Sequence, residues 1–515
     1  MARRAQPVNP IPGIGAAALV AALIVGTLAA VALRAETGRG FVAADWAALR
    51  FTLTQAILSA VISTGLAIPV ARALARRRFR GRRALIALLG APFILPVIVA
   101  ILGLLQVFGR SGWISDALGV FGLPPISIYG LHGVVIAHVF FNLPLATRLV
   151  LQGWQEIPAE RFRLAEQLGC RGSALFRLIE APMLLRILPG ILAVIFAICL
   201  TSFAVALTLG GGPRATTIEL AIYQAFTFDF DLGRAALLSA VQLVLTAAAA
   251  AAALKLSRGE GFGAGLDRSI RRWNTGSSLI DTVWIVLATG FLLLPLISVI
   301  TSGLAGIMDV PVEVLRAALV SIAVSSASTL VMLVLALPMA VSVAAGRHGW
   351  VELCGILGLA ASPLVIGTGL FIMIRPLGDP TALALPVTAV VNVVFALPFA
   401  LRILIPVARD VVAQHGRLAL AVGMSPRVFF IRVMLPRMRP QIGFAAGLTA
   451  ALSMGDLGVI TLFADADIAT LPLQIFRLMG AYQMQAASGG ALLLLMLSMG
   501  AFWILDRGGR WHAET

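Results

Sequence analysis

Apolar runs of about 20 residues recur along this chain from Ile14 to Leu505, separated by short polar stretches, and nothing else in it restricts the fold as strongly. A soluble core cannot absorb so many of them. Within a bilayer each backbone polar group must be satisfied internally, which leaves helices or a closed barrel. With 60% hydrophobic residues, 12% charged and a mean hydropathy of +0.99 across 515 residues, the chain reads as a polytopic membrane protein. Aromatics are only 7%, while Gly and Pro are plentiful, as helical spans allow and close helix packing favours. The expected fold class is therefore all-α, with about 12 transmembrane helices.

The formal charge of +16 would suit a nucleic-acid binder if it were spread over a surface. It is not. Lys255 is the only lysine, and arginines cluster in short connections, such as Arg76, Arg77, Arg78, Arg80, Arg82 and Arg83, then Arg268, Arg271 and Arg272. That is the positive-inside pattern, so these clusters mark the cytoplasmic face and meet anionic lipid headgroups; no nucleic-acid partner is expected. Cys170, Cys199 and Cys354 are far apart and form no metal or redox spacing.

Taking the cytoplasm from the Arg76–Arg83 cluster, the first half crosses at 14–33, 52–74, 84–108, 133–151, 187–209 and 235–256. The first run is too long for the apolar part of a signal peptide, usually about 7–15 residues, and is read as a retained span. Residues 257–278, Gly/Ser-rich and basic, read as a cytoplasmic linker. The second half crosses at 279–299, 315–345, 353–374, 383–407, 442–462 and 489–505, which places both termini inside. The predicted domains are a first half at 1–256, with a core of about 48–256, and a second half at 279–515, with a core of about 312–506.

The halves are copies. His138-Val139-Phe140-Phe141-Asn142-Leu143-Pro144 aligns with Asn392-Val393-Val394-Phe395-Ala396-Leu397-Pro398. At the same separation Arg148 aligns with Arg402, Gly169 with Gly423 and Pro182 with Pro436. About 45 residues match without a gap, which hydrophobic periodicity alone would hardly produce. An even number of crossings per half gives both copies one orientation, so they can pack around an axis along the membrane normal with a pathway between them.

The aligned region ends in two polar islands on the cytoplasmic side. Each begins with an amphipathic helix, at Ala159–Leu168 and at about Val412–Val422. Gly169 or Gly423 then suits the left-handed position after a helix end, and Pro182 or Pro436 the start of the next helix. A helical elbow held by spans on both sides could transmit force.

The island spacing resembles the EAA loop of ABC importer permeases, which runs E-A-A, three residues, G, nine residues, I, any residue, L-P. Ala165 and Ala419 match its second alanine, Gly169 and Gly423 its glycine, Ile179 and Val433 its aliphatic residue, and Pro182 and Pro436 its proline. Arg163 and Arg417 replace the glutamate, Leu164 and Leu418 the first alanine, and Ala181 the leucine. The resemblance implies two tandem type I permease domains of about six helices each. It also implies that both islands are coupling helices seated on a separate ATPase dimer, which binds ATP and Mg. The chain itself has no GxxxxGK[ST] phosphate loop and no nucleophile or acid/base constellation, so it is expected to be non-catalytic, without a cofactor or metal of its own.

The run Leu207–Ala225, with Ser453–Val459 and Thr470-Leu471-Pro472, resembles thiamine importer permeases more specifically; ferric-iron permeases share the fused plan. This implies uptake of thiamine and its phosphate esters through a bacterial inner membrane, with a periplasmic thiamine-binding protein as partner. Candidate pathway residues are Asp456, His138, Asn142 and Asn392, the last three read foremost as polar contacts between helices. Glu219, Asp229 and Asp231 are placed in the external segment between spans. An ion-coupled secondary transporter is the alternative from another class; it would favour paired intramembrane carboxylates, and here Asp456 alone stands out.

Overall fold

The computed structural model describes residues 8–36, 40–90, 94–170, 172–212, 215–256, 278–346, 349–463 and 468–510. The first half comprises α1 (Ile11–Arg34), α2 (Ala43–Arg76), α3 (Arg82–Leu88), α4 (Val97–Phe108), α5 (Trp113–Val120) and α6 (Leu131–Glu156). It continues with α7 (Ala159–Gln167), α8 (Ser173–Leu175), α9 (Ala181–Leu200), α10 (Phe203–Leu209), α11 (Ile218–Thr227) and α12 (Leu232–Leu256). The second half comprises α13 (Ser278–Gly306), α14 (Val312–Ala344), α15 (Gly349–Ile356), α16 (Pro363–Ile374) and α17 (Ala384–Ala421). After it come α18 (Pro426–Phe429), α19 (Leu435–Met454), α20 (Ile460–Phe463), α21 (Leu471–Gly480) and α22 (Met484–Arg510). No strand occurs among the described residues, and the chain is an all-α, multi-pass membrane protein. All but the last residue of the predicted linker, 257–278, lies outside them.

Ten helices among the described residues are long and apolar enough to cross a membrane. The two other expected spans are present in altered form. Residues 353–374 are divided between α15 and the apolar but short α16 by a break ending at Ser362, where Pro363 starts the new helix. Residues 442–462 belong to α19 and α20, and α19 carries Arg437 and Arg439 early, then small residues such as Gly443, Ala446 and Gly447 instead of bulky apolar ones. The spans predicted at 84–108 and 187–209 are also broken, between α3 and α4 near Pro96 and between α9 and α10 at Thr201–Ser202. The breaks after α9 and α19 fall at aligned positions, Thr201–Ser202 and Gly455–Asp456.

The first helix of each half packs on the other half. Helix α1 lies against α14 and α16, and α13 against α2 and α4. The apolar cores follow this exchange: Ala17, Val20 and Ile24 of α1 join the second half's core, and Ala288 and Leu292 of α13 join the first half's. Close backbone approach makes the exchange tight. A Cβ on Gly13 would lie 2.1 Å from the Pro338 carbonyl oxygen, and one on Gly103 2.4 Å from that of Pro295. Small residues at such crossings are how helices associate where lipid is as apolar as a side chain.

Candidate functional site

Both elbows are folded by the same local chemistry. Gly169 and Gly423 adopt φ of +69° and +68°. In each case the next residue's N–H reaches back five residues: Cys170 N donates to the Ala165 carbonyl at 2.8 Å, and Met424 N to that of Ala419 at 2.9 Å. The glycine N–H closes the inner bond, to Glu166 and to Leu420, both at 3.1 Å. These are Schellman caps, whose left-handed residue costs a glycine least.

A short helix follows, α8 or α18, and then a five-residue π-helical turn at Phe176–Glu180 and at Phe430–Met434. Each π-turn runs into Pro182 or Pro436 at the second position of the next helix. Proline has no N–H and its ring crowds the carbonyl four residues back; a widened turn accommodates both effects. Ala165 and Ala419 are buried, whereas Arg163, Leu164, Arg417 and Leu418 are exposed. Leu168 and Val422 add to this outer face at 71% and 69% exposure, so each elbow presents apolar side chains and an arginine away from the bundle.

The second elbow differs from the expected separate helix at about Val412–Val422. Helix α17 runs without interruption from the membrane to Ala421. In the first half the chain breaks at Ile157–Pro158, where Ile157 is extended (φ −70°, ψ 121°), as a residue before proline prefers. The aligned position in α17 is Val412, which imposes no break.

The pathway candidates lie deeper. The Ser59 hydroxyl and His138 Nδ1 are 3.0 Å apart, and Asn142 Nδ2 donates to the His138 carbonyl at 2.9 Å and to Cys199 Sγ at 3.3 Å. In the second half, Asn392 Nδ2 donates to Ser453 Oγ at 2.9 Å, which donates to Ser328 Oγ at 3.0 Å. Ser59, His138 and Cys199 therefore correspond to Ser328, Asn392 and Ser453. His138 and Asn392 are held in two separate inter-helix clusters, one per half.

Asp456 is at the seam between halves. Its Oδ1 accepts the Gly458 N–H at 3.2 Å, while Oδ2 is buried without a hydrogen-bond partner among the described residues. Gly455 packs on Pro96 of the first half, and Gly458 lies near both Leu364 and Phe203.

Glu219 is where sequence reasoning went wrong. The external segment that contains it folds inward as α11, leaving Glu219 only 1% exposed, and its Oε1 accepts a hydrogen bond from Ser362 of the other half. Signals for this were available: Thr217 caps the helix by accepting the Leu220 N–H, and Ile218, Leu220, Ala221 and Ile222 surround the carboxylate with apolar neighbours. Asp229, by contrast, is half exposed and paired with Arg234 at 3.1 Å.

No family model matches the chain. Whole-length relatives do. It is 38% identical to the thiamine transport system permease protein of Brucella abortus over 98% of this chain and 96% of that one. Against the Salmonella typhimurium protein of the same name identity is 38% with both chains covered completely. The chain belongs to the thiamine transport system permease family. The Escherichia coli member is 37% identical over 98% of each chain. The similarity thus extends over both elbows, both polar clusters and the seam.

Proposed function

We propose that this chain is the membrane-spanning subunit of an ATP-driven importer that carries thiamine, and its phosphate esters, into the cytoplasm. What carries the reading is near-complete coverage by thiamine transport permeases, in a chain whose two elbows present matching outer faces. The elbows, with Arg163, Leu164, Ala165, Gly169 and Pro182 in one and Arg417, Leu418, Ala419, Gly423 and Pro436 in the other, dock on a separate ATPase dimer. ATP and Mg are bound there, and closure of the dimer moves the spans between outward-open and inward-open states. A periplasmic binding protein delivers cargo from the other side. The chain sits in the bacterial inner membrane with both termini in the cytoplasm.

The outer faces supply a physical basis for docking. Exposed Leu164, Leu168, Leu418 and Val422 beside arginines suit an apolar cleft rimmed by acidic groups. A complex reconstituted in liposomes with its ATPase and binding protein should take up labelled thiamine only with ATP. Gly423→Trp should insert normally yet lose the ATPase or its coupling. ATP-dependent uptake at the unmodified rate in that variant would refute the coupling role, and uptake of ferric iron in place of thiamine would refute the cargo.

A further inference from the structure

Four carboxylates are buried among the described residues: Asp45, Glu180, Glu219 and Asp281. Three are neutralised by arginine. Asp45 pairs with Arg234 at 2.8 Å, Glu180 with Arg72 at 2.7 Å and Asp281 with Arg77 at 2.6 Å. Glu219 has no arginine or lysine partner among the described residues, and its Oε2 is buried without a well-formed hydrogen bond from any of them. Asp456 shares this condition, with a buried, unpartnered Oδ2.

Glu219 and the turn that holds Asp456 border the same residues, Phe203 of the first half and the Ser362–Leu364 turn of the second. The Phe203 backbone and the Gln242 amide lie beside Glu219. Ser362 Oγ donates to Glu219 and accepts the Leu364 N–H. A Cβ on Gly458 would lie 3.3 Å from Leu364 Cδ1, 3.6 Å from Asp456 Oδ1 and 3.9 Å from Phe203 Cδ1. Phe203 and the Ser362–Leu364 turn thus border both Glu219 and the Asp456–Gly458 turn at the seam.

A cavity of about 250 Å³ opens along α11, walled by Leu220, Tyr223 and Gln224 of that helix, by Phe228 after it and by Phe476 of α21; neither acid lines it directly, and Leu220 is the residue next to Glu219. Tyr223 and Phe476 are each the sixth residue of their helices, α11 from Ile218 and α21 from Leu471. Tyr223 is one helical turn from Glu219 on α11, and its ring packs edge-on against Phe203 with centroids 5.4 Å apart. Aromatic faces attract organic cations, and a carboxylate oxygen without a partner in a membrane interior is costly until a cation reaches it.

We propose that Glu219 and Asp456 form the cation-recognition site of the translocation pathway, one carboxylate from each half, reached through the Tyr223–Phe476 cavity. The ligand class is an aromatic organic cation. This rests on the thiamine-permease reading above, since thiamine carries such a charge. Glu219 keeps one oxygen tethered by Ser362 and offers the other to the cargo; Asp456 does the same with Gly458.

The test is uptake of radiolabelled thiamine by a bacterial strain lacking its own permease and expressing this chain with its partner subunits. Wild type must transport; if it does not, the thiamine reading fails and not the site. Glu219→Gln preserves size and the Ser362 contact but removes charge. It should assemble at wild-type levels and lower uptake by roughly tenfold or more, the scale of losing a charged hydrogen bond. Glu219→Asp should recover part of the rate, and Asp456→Asn should be impaired like Glu219→Gln. Unchanged uptake in Glu219→Gln or Asp456→Asn overturns the proposal, as does a Glu219→Asp variant as slow as Glu219→Gln, which would make shape the determinant. If Glu219→Gln fails to assemble, Asp456→Asn decides by the same criterion. Failure of both to assemble would make the acids structural and also overturn the site.

Discussion

The two elbows share a glycine, a proline and a π-turn, yet they are joined to their membrane helices differently. The first is separated from α6 by the break at Ile157–Pro158; the second is the end of α17. The first is also tied to α2 by an ion pair, with Glu180 fully buried and Arg72 29% exposed. Aligned positions in the second half are Val341 and Met434, both buried in one apolar core. What the copies retain is therefore backbone geometry. The contacts anchoring that geometry have diverged between an ion pair and apolar packing, which are close to interchangeable when each is complete.

The strongest disturbance of this comparison is to give the second elbow the first one's break. Val412→Pro places a proline inside a continuous helix, where the lost hydrogen bond and ring clash cost about 3 kcal/mol or more. The unfolding midpoint of the detergent-purified chain should fall clearly. The reciprocal Pro158→Val should leave it nearly unchanged, because the first elbow already tolerates the junction.

Next in size is Glu180→Ala, which strands Arg72 and leaves a gap. Losing one partner of a buried pair costs about 3–5 kcal/mol, and water access to the part-exposed Arg72 should bring this nearer the lower figure. Thermal unfolding of the same preparation measures it. A midpoint equal to that of the parent would show that the pair contributes nothing to anchoring.

Gly169→Val and Gly423→Val should cost less, about 1–2 kcal/mol each, for a left-handed residue that is no longer glycine. Open space around both glycines makes the backbone the whole of this effect, so the two should be alike in denaturant titrations. Unequal costs would mean that the elbows are not equivalent in backbone strain.

The smallest effect should come from transplanting the second half's solution: Arg72→Val with Glu180→Met is expected to stay within about 1 kcal/mol of the parent, although Glu180→Ala alone does not. A large loss in the double variant would mean that the ion pair has a positional role that Val341 and Met434 do not share.

Much of this was legible beforehand because it depends on local rules. Gly169 and Gly423 announce helix ends and Pro182 and Pro436 helix starts, whatever the partner elements are. The continuity of α17 through Val412 was missed because an amphipathic segment after a span reads alike whether or not it is joined to it. Glu219 was missed for a different reason: a carboxylate between spans has water as its default environment, and only Ser362, distant in sequence, makes an interior position tenable.

By itself the sequence determined that this is a helical membrane protein whose two halves share an aligned stretch, with an elbow at the same place in each. Hydropathy and residue spacing act over one or two turns, and that range suffices for spans, caps and repeats. Only the tertiary structure decided that α1 and α13 each pack across onto the other half and that Glu219 and the Asp456 turn both lie on the seam. Hydropathy is blind to both, because lipid and a neighbouring helix are equally apolar. Partner choice is settled by close steric fit, as at Gly13 against Pro338 and Gly103 against Pro295, and by where polar groups find each other.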